Sequence, residues 1–375
     1  MAKFFHLITS FQLGGTEIIA FNLAEHCKLG ESEDIEFIVA ELYTTKSTYS
    51  IEKKQELALK KIKTISLSKS SKRFSLIVAP FSLVYHLLKQ KPQVIHSHTD
   101  LPDFVLSVSL RILSLLHIKG PKIVRTIHNT QLWPTHKKLG KYTESAFSND
   151  IVVGVSDACL EAYKNLRLKN HLPVSSHQYI IHNSCAIPEK RDHPFKIDRE
   201  KINIAFCGRF EHQKGIDILI ARIKEINIWP GNNFLFHIIG IGTYFHEVLR
   251  LSESNDNVLI YNTVPNIADK LYAFDFLIMP SRFEGLVLTS IEASLWKIPI
   301  IAAIAPGLNE TLPPDWPLQF HLENKDELFS VLNKVKNNEY DLEALKNQAF
   351  SFVSENFSHK KMIDDYSKLY MEIYE

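Results

Sequence analysis

What this chain has little of narrows its class before any motif is read. Only four of its 375 residues are cysteine, and Cys27, Cys159, Cys185 and Cys207 stand far apart. They make neither a CxxC pair nor a Cys/His spacing that closes a zinc site, so they read as reduced core residues of a cytoplasmic protein. Long apolar runs are also missing. The most apolar stretch, Phe104 to Ile118, is interrupted by Arg111, His117 and serines and is too short to span a bilayer. The N-terminus is apolar but runs into a polar Gly-Gly turn without a small-residue cleavage site, which reads as a first strand and not a signal peptide. There is no GxGxxG dinucleotide fingerprint, no internal repeat, no low-complexity segment and no motif that reads RNA or DNA. Neither a resident cofactor nor a nucleic-acid partner is expected.

Net charge is scarce as well, at +1, but the small total hides an asymmetry. Residues 1 to 200 carry an excess of 8 positive charges and the remainder an excess of 7 negative ones. Between Lys46 and Lys91, 11 basic residues face only Glu52 and Glu56. Such a patch can be a solvated surface; it can also attract an anionic acceptor or anionic lipid headgroups.

What is present is ordinary for a soluble globular protein, with 45% hydrophobic and 23% charged residues. The length suits two domains of roughly 150 to 200 residues. Apolar strand-like runs begin at Phe4, Ile35, Val94, Ile123, Ile151 and Tyr179, separated by amphipathic segments at 16–28, 74–89 and 102–117. The alternation restarts at Ile202 and continues at Phe234, Val258, Phe274 and Pro299, before a helical tail over 324–337 and 341–374. Strands alternating with helices predict an α/β protein with doubly wound parallel sheets, ligands lying at the carboxyl ends of the strands. The polar stretch from Asn183 to Pro194 predicts the domain boundary, placing domains at 1–188 and 189–357.

Candidate chemistry gathers at those strand ends. Gly14-Gly15-Thr16-Glu17 is a glycine turn opening a helix, where free N–H groups and the helix dipole suit an anion. His98 and His128 each follow a strand. Gly208-Arg209 with Lys214-Gly215 puts two cations beside a helix N-terminus, as a diphosphate requires. Gly240-Ile241-Gly242 and Pro306-Gly307 are further glycine turns. Pro280 to Ala293 carries two glutamates, Glu284 at the strand-to-helix junction and Glu292 two turns on, about 12 Å away if the residues between are helical. That spacing suits two ends of one extended ligand. A glutamate pair can equally be a solvated helix face, but Glu292 sits among Ile291, Ala293 and Leu295, so its carboxylate needs a hydrogen-bonding partner.

The series Gly14-Gly15-Thr16-Glu17, His128 after Thr126-Ile127, Gly208-Arg209 with Lys214-Gly215, and Pro280-Ser281 with Glu284-Gly285 and Glu292-Ala293 resembles the retaining nucleotide-sugar glycosyltransferases of family 4. The resemblance implies the GT-B arrangement, two Rossmann-like domains facing each other across a cleft, with the last helix, 358–375, crossing back to the first domain. It implies that Arg209 and Lys214 hold the donor diphosphate without a metal, that Glu284 contacts the donor sugar and Glu292 the ribose hydroxyls, that Gly15 approaches the donor phosphate and that His128 stands beside the transferred sugar. Gly208, Gly242, Gly285, Leu286 and Val287 complete the donor-binding candidates, and Gly14, Thr16 and His98 are candidates on the acceptor side. Ser294-Leu295-Trp296-Lys297, Asn183-Ser184 and Pro306-Gly307 depart from the family's usual residues, which puts the shape of the sugar pocket in doubt. The expected reaction is transfer of a sugar to a saccharide or lipid-linked saccharide, in surface polysaccharide or lipopolysaccharide synthesis, at the inner face of a membrane. An epimerase or phosphorylase of the same fold, or a non-catalytic nucleotide-sugar-binding partner, stays open on these residues alone.

Overall fold

The computed structural model describes all residues except Met1, Leu13, residues 30–34, Thr135 and Glu375. The chain divides into two compact units, Met1–Asn183 with His359–Glu375, and Ser184–Ser358.

In the first unit the order is β1 (Ala2–Ile8), α1 (Gly15–His26), β2 (Ile35–Glu41), α2 (Thr48–Leu59), β3 (Lys63–Ser66), α3 (Lys72–Gln90), β4 (Val94–His98), α4 (Asp100–Leu115), β5 (Lys122–Ile127), α5 (Lys137–Glu144), β6 (Ile151–Gly154), α6 (Asp157–Lys169) and β7 (Gln178–Ile180). All strands pair in parallel, in the order β3-β2-β1-β4-β5-β6-β7. Successive side chains of a strand point to opposite faces. Phe4 and Ile8 of β1 therefore join one apolar cluster with α1, while Phe5 and Leu7 join another with α3 and α4. Burial on both faces is why β1 reads, from Phe4 to Ile8, as an apolar run broken only by His6.

The second unit repeats the plan: β8 (Ile202–Cys207), α7 (Ile216–Ile226), β9 (Phe234–Ile239), α8 (Phe245–Glu253), β10 (Val258–Tyr261), β11 (Phe276–Met279), α9 (Leu288–Leu295), β12 (Ile300–Ala303), β13 (Gln319–Phe320), α10 (Lys325–Lys336) and α11 (Leu342–Asn356). Its sheet runs β10-β9-β8-β11-β12-β13, again parallel. Both orders reverse beside the first strand of the unit, between β1 and β4 and between β8 and β11. In open α/β sheets that switch point is where the loops part and leave a crevice for ligand.

The final helix, α12 (His359–Tyr374), belongs to the first unit. Met362, Ile363, Tyr366, Leu369, Tyr370 and Ile373 are its buried stripe. The Tyr370 hydroxyl pairs with His96 Nδ1 at 2.7 Å and that of Tyr366 with Thr126 Oγ1 at 3.1 Å.

The sequence pattern misses α2, β3, α5, α8 and β13. In α2 only Ser50 and Leu57 are buried, so no apolar period marks it, and it starts from a Ser47 hydroxyl that accepts the Ser50 N–H at 3.1 Å. The short edge strand β3 has no fully buried residue. The tail is two helices, because α11 stops at Asn356 and α12 starts afresh at His359. The basic stretch is also less unbalanced than it reads. Lys53 and Lys60 pair with Glu25 and Glu56, Lys54 with Glu41 and Lys63 with Glu36. Three of those four acids lie outside the stretch.

Candidate functional site

At the switch point of the second unit two loops meet, Gly208–Gly215 after β8 and Pro280–Val287 after β11. Their backbones touch. Gly215 adopts φ +67°, and a Cβ there would overlap the Pro280 carbonyl oxygen, so only glycine lets the loops approach this closely. The Arg282 N–H donates to the Gln213 carbonyl at 2.8 Å. The Arg282 guanidinium grips both Asp217 carboxylate oxygens at 2.7 Å and the His212 carbonyl at 2.6 Å. Bidentate pairs fix orientation as well as distance, and this one pins the second loop to the start of α7. From the other side the Glu284 N–H donates to the Pro306 carbonyl at 3.0 Å, and Gly307 lies against the Glu284 and Gly285 carbonyls.

The clasp brings together three of the expected residues. Lys214 Nζ donates to Glu284 Oε1 at 2.6 Å. Gln213 Nε2 donates to Glu284 Oε2 at 3.4 Å, and its Oε1 accepts from Arg209 Nη2 at 3.3 Å. Glu284 is buried while Arg209 is exposed. Two cations are thus held beside one desolvated carboxylate.

The glycines divide into two kinds. A Cβ on Gly242 would lie 2.5 Å from the Phe210 carbonyl oxygen, and one on Gly240 would overlap that of Gly208, so these two let neighbouring backbones pack. A Cβ on Gly208 would find only ordinary contacts, 3.7 Å from Phe206 and 3.8 Å from Lys214. Nothing in the protein itself requires glycine at 208. Leu286 and Val287 are buried in the approach to α9.

Helix α9 begins at Leu288, after an extended Val287. The chain from Glu284 to Glu292 is therefore part loop, and a helical rise does not measure it. Glu292 lies in the second turn of α9, and the partner expected for it is missing: among the described residues no hydrogen bond reaches its carboxylate. Desolvation, and then the charge of Asp269, push its pKa up to about 7. The same carboxylate raises the thiols of Cys207 and Cys185, after their own burial.

The switch point of the first unit is chemically different. Its centre is a chain of histidines: His6 Nδ1 lies 3.0 Å from His98 Nε2, and His98 Nδ1 lies 3.2 Å from His128 Nε2. His6 Nε2 is buried without a partner. An orphaned lone pair is tolerated better than an orphaned N–H, so the protons run from His6 Nδ1 to His98 Nε2 and from His98 Nδ1 to His128 Nε2. His128 then keeps its own proton on Nδ1. Desolvation lowers His6 and His128 to about 3 and holds His98 well below the usual range. The chain is neutral across physiological pH. His6, His96 and His98 could converge on one ion. Both His96 nitrogens are already bonded, to Tyr370 and to Thr126 at 2.6 Å, and both His98 nitrogens are bonded to histidines. A metal there would have to break that network.

His128 lines a cavity of about 320 Å³ with Thr9, Lys72, Asp100, Asn129 and Gln131. His98 is buried behind it and does not line it. Asp100 was given no role by the sequence pattern; desolvation raises it to about 6, although it accepts the Trp133 N–H at 3.1 Å. Between His98 and Asp100, Thr99 holds φ +80° and ψ 169°. A β-branched residue there costs on the order of 1–3 kcal/mol and marks a loop held by its surroundings. At the start of α1, Gly14 is the N-cap and Gly15 the first helical residue, followed by Thr16. The Glu17 carboxylate turns back against Gly14 and accepts its own backbone N–H, so this helix N-terminus already holds an anion.

Residues 201–334, which contain the whole clasp, match the family model described as glycosyl transferases group 1. An uncharacterized glycosyltransferase of Methanocaldococcus jannaschii is 24% identical over 374 residues, covering 96% of this chain and 95% of that one. The crystal structure of Anabaena Alr3699/HepE in complex with UDP-glucose superposes with a TM-score of 0.75 at 14% identity, over 99% of this chain and 100% of that one. The chain has the GT-B fold of these glycosyltransferase structures. An O-antigen biosynthesis glycosyltransferase of Escherichia coli, WclY, is 25% identical over 198 residues, about half of each protein. The family match thus falls on the unit that holds Lys214 and Glu284. Sequence reasoning missed Gln213, the Arg282–Asp217 clasp, His6 and Asp100. Only Arg282 left a trace, standing inside a stretch already singled out.

Proposed function

We propose that the enzyme moves a sugar from a nucleotide diphosphate sugar to a hydroxyl of a saccharide or lipid-linked saccharide, with retention at the anomeric carbon, in surface polysaccharide synthesis. The observation that carries this is the Arg209–Gln213–Glu284–Lys214 set, clamped at a switch point of the sheet. In the step, the bond between the anomeric carbon and the diphosphate oxygen breaks and its electron pair leaves with the nucleotide. The acceptor oxygen bonds to the same carbon, and its proton passes to the departing phosphate. Lys214 and Arg209 supply the cations a departing diphosphate needs, with no metal. Glu284 faces the sugar and orients Lys214. The carboxylate of Glu292 accepts from the ribose hydroxyls, which would give it the hydrogen bonds that the described residues do not supply.

Retention rests on the resemblance to family 4, the donor class on the match to a protein that binds UDP-glucose, and the acceptor class on the O-antigen relative. The four cysteines are all free, in keeping with work in the cytoplasm. Among the described residues no helix is long and apolar enough to cross a membrane. The basic stretch supports peripheral work at an anionic inner membrane face. The test is a screen of nucleotide sugars for acceptor-dependent release of free nucleotide, with the anomeric configuration of the product read by NMR. An inverted product, or donor isomerised without acceptor, overturns the reading.

A further inference from the structure

Helix α3 contradicts the usual division of a surface helix into a buried apolar face and a solvated polar one. Its core side, Ala79, Leu83, Val84 and Leu87, is buried as expected. Its opposite side is also apolar. Phe74, Ile77, Phe81, Tyr85 and Leu88 are between 40% and 64% exposed. At 100° per residue these five fall within an arc of about 80°. Arg73 and Lys89 flank the arc about 40° to either side. At the end of α3 the apolar surface continues: Leu88, Lys91 and Ile118 line a cavity of about 270 Å³, close in sequence to Leu115, which is 80% exposed.

Charge says what covers this face. From Leu57 to Thr99 there is no acidic residue, whereas eight residues are basic. Lys60 and Lys63 are paired with acids. Lys61, Lys69, Lys72, Arg73, Lys89 and Lys91 make no ion pair among the described residues. Lys89 Nζ instead lies 5.6 Å above the Tyr85 ring. A protein partner for a stripe of three aromatics and two aliphatics would not need a surround of unpaired cations. An in-plane helix at an anionic bilayer needs both, acyl-chain contact for the apolar arc and headgroup charge for its flanks.

We propose that α3 lies in the headgroup region of an anionic membrane, with Phe74, Ile77, Phe81, Tyr85 and Leu88 turned toward the acyl chains. This rests on the reading above of a membrane-facing transferase and names the element that makes the contact. It also gives Lys72 a place: the first residue of α3 lines the cavity that holds His128 and Asp100, so a lipid-linked acceptor held in the same membrane would reach that cavity from the end of the anchoring helix.

The test is co-sedimentation of the full chain with vesicles of phosphatidylcholine alone and of phosphatidylcholine with phosphatidylglycerol. Wild type is expected to bind only the anionic vesicles. The combined change Phe74→Ser, Phe81→Ser, Tyr85→Ser should weaken binding at least tenfold, and the pair Arg73→Gln, Lys89→Gln several-fold with a shallower salt dependence. Phe81→Trp, which keeps the apolar face, should show a blue-shifted emission on binding and quenching by brominated acyl chains. Unchanged binding of the triple variant, an unquenched tryptophan, or a wild-type dimer that the triple variant disperses while neither binds vesicles overturns the proposal. Calorimetry with UDP-glucose keeps the two readings apart. Loss of donor binding in wild type with vesicle binding intact would strike the proposed reaction and leave the surface standing.

Discussion

The two units share one topology and hold opposite chemistry at the same place in it. Where the second unit's strand order reverses, a lysine, an arginine and a glutamate are joined through Gln213. Where the first unit's order reverses, three histidines form a neutral chain, two of them buried and the third lining a cavity. The difference teaches that the doubly wound sheet supplies a location and nothing more; the loop residues decide whether the crevice is charged or neutral.

Acid should weaken the first unit more than the second, which is the largest effect expected. An unfolded histidine binds its proton near pH 6.5, but His6 does so only near 3, and His96 and His98 also lie well below their usual value. Their contribution is present above pH 6.5 and is lost as pH falls, by about 2 kcal/mol for each buried histidine at pH 5. In the second unit His237 behaves likewise, lowered to about 4, while Glu292 works the other way. Its carboxyl is protonated below about 7 when folded and only below 4.5 when unfolded, so stability rises as pH falls through that window. Hydrogen exchange at pH 5 should show amides of the first unit opening before those of the second; uniform opening would refute this contrast.

Next in size is Lys214→Ala, which should cut transfer by about 10² to 10³, the usual loss when one preorganised donor to a leaving group is removed. Turnover is followed by nucleotide release and folding by circular dichroism. Gly215→Ala should cost about 3 kcal/mol, the upper end for backbone strain, because loop and strand cannot both stay where they are. Urea denaturation measures it, and a wild-type midpoint would mean that the loops are not clasped as described.

Smaller effects test the ends of the ligand. The affinity for UDP-glucose should rise on the order of tenfold from pH 5.5 to 7.5 as Glu292 ionises, since one unit of pKa is about 1.4 kcal/mol. Glu292→Gln should flatten that slope, read by calorimetry. His98→Phe should leave UDP-glucose affinity within about twofold, since the histidine chain belongs to the other unit, while turnover drops several-fold as His128 loses the donor that fixes its tautomer. Weakened donor binding in this variant would show that the two sites are not separable.

Much of this was legible beforehand because the evidence was local. A strand buried on both faces reads as a mostly apolar run, as Phe4 to Ile8 does with only His6 polar, and a glycine turn after it opens a helix. Both units could therefore be drawn from the pattern, as could Lys214 and Glu284 at strand ends. Elements with little buried apolar surface, α2 and β3, left no such mark. Side-chain depth was a matter of packing. Glu292, on α9, lies close enough to Cys207 at the end of β8 to raise its thiol. His98 was expected to face the acceptor, and β4 carries it one layer too deep.

The sequence by itself determined the alternation of strands and helices, the glycine turns and the residue types at the strand ends, since period, turn chemistry and charge act over a few neighbours. Only the tertiary structure decided which of those residues meet. Lys214 and Glu284 are 70 positions apart and Arg282 and Asp217 65, while His6 and His98 are separated by 92. No local preference encodes such pairings. They follow from parallel strands stacking in one particular order, which brings the loops after β8 and β11 together in one unit and the ends of β1, β4 and β5 together in the other.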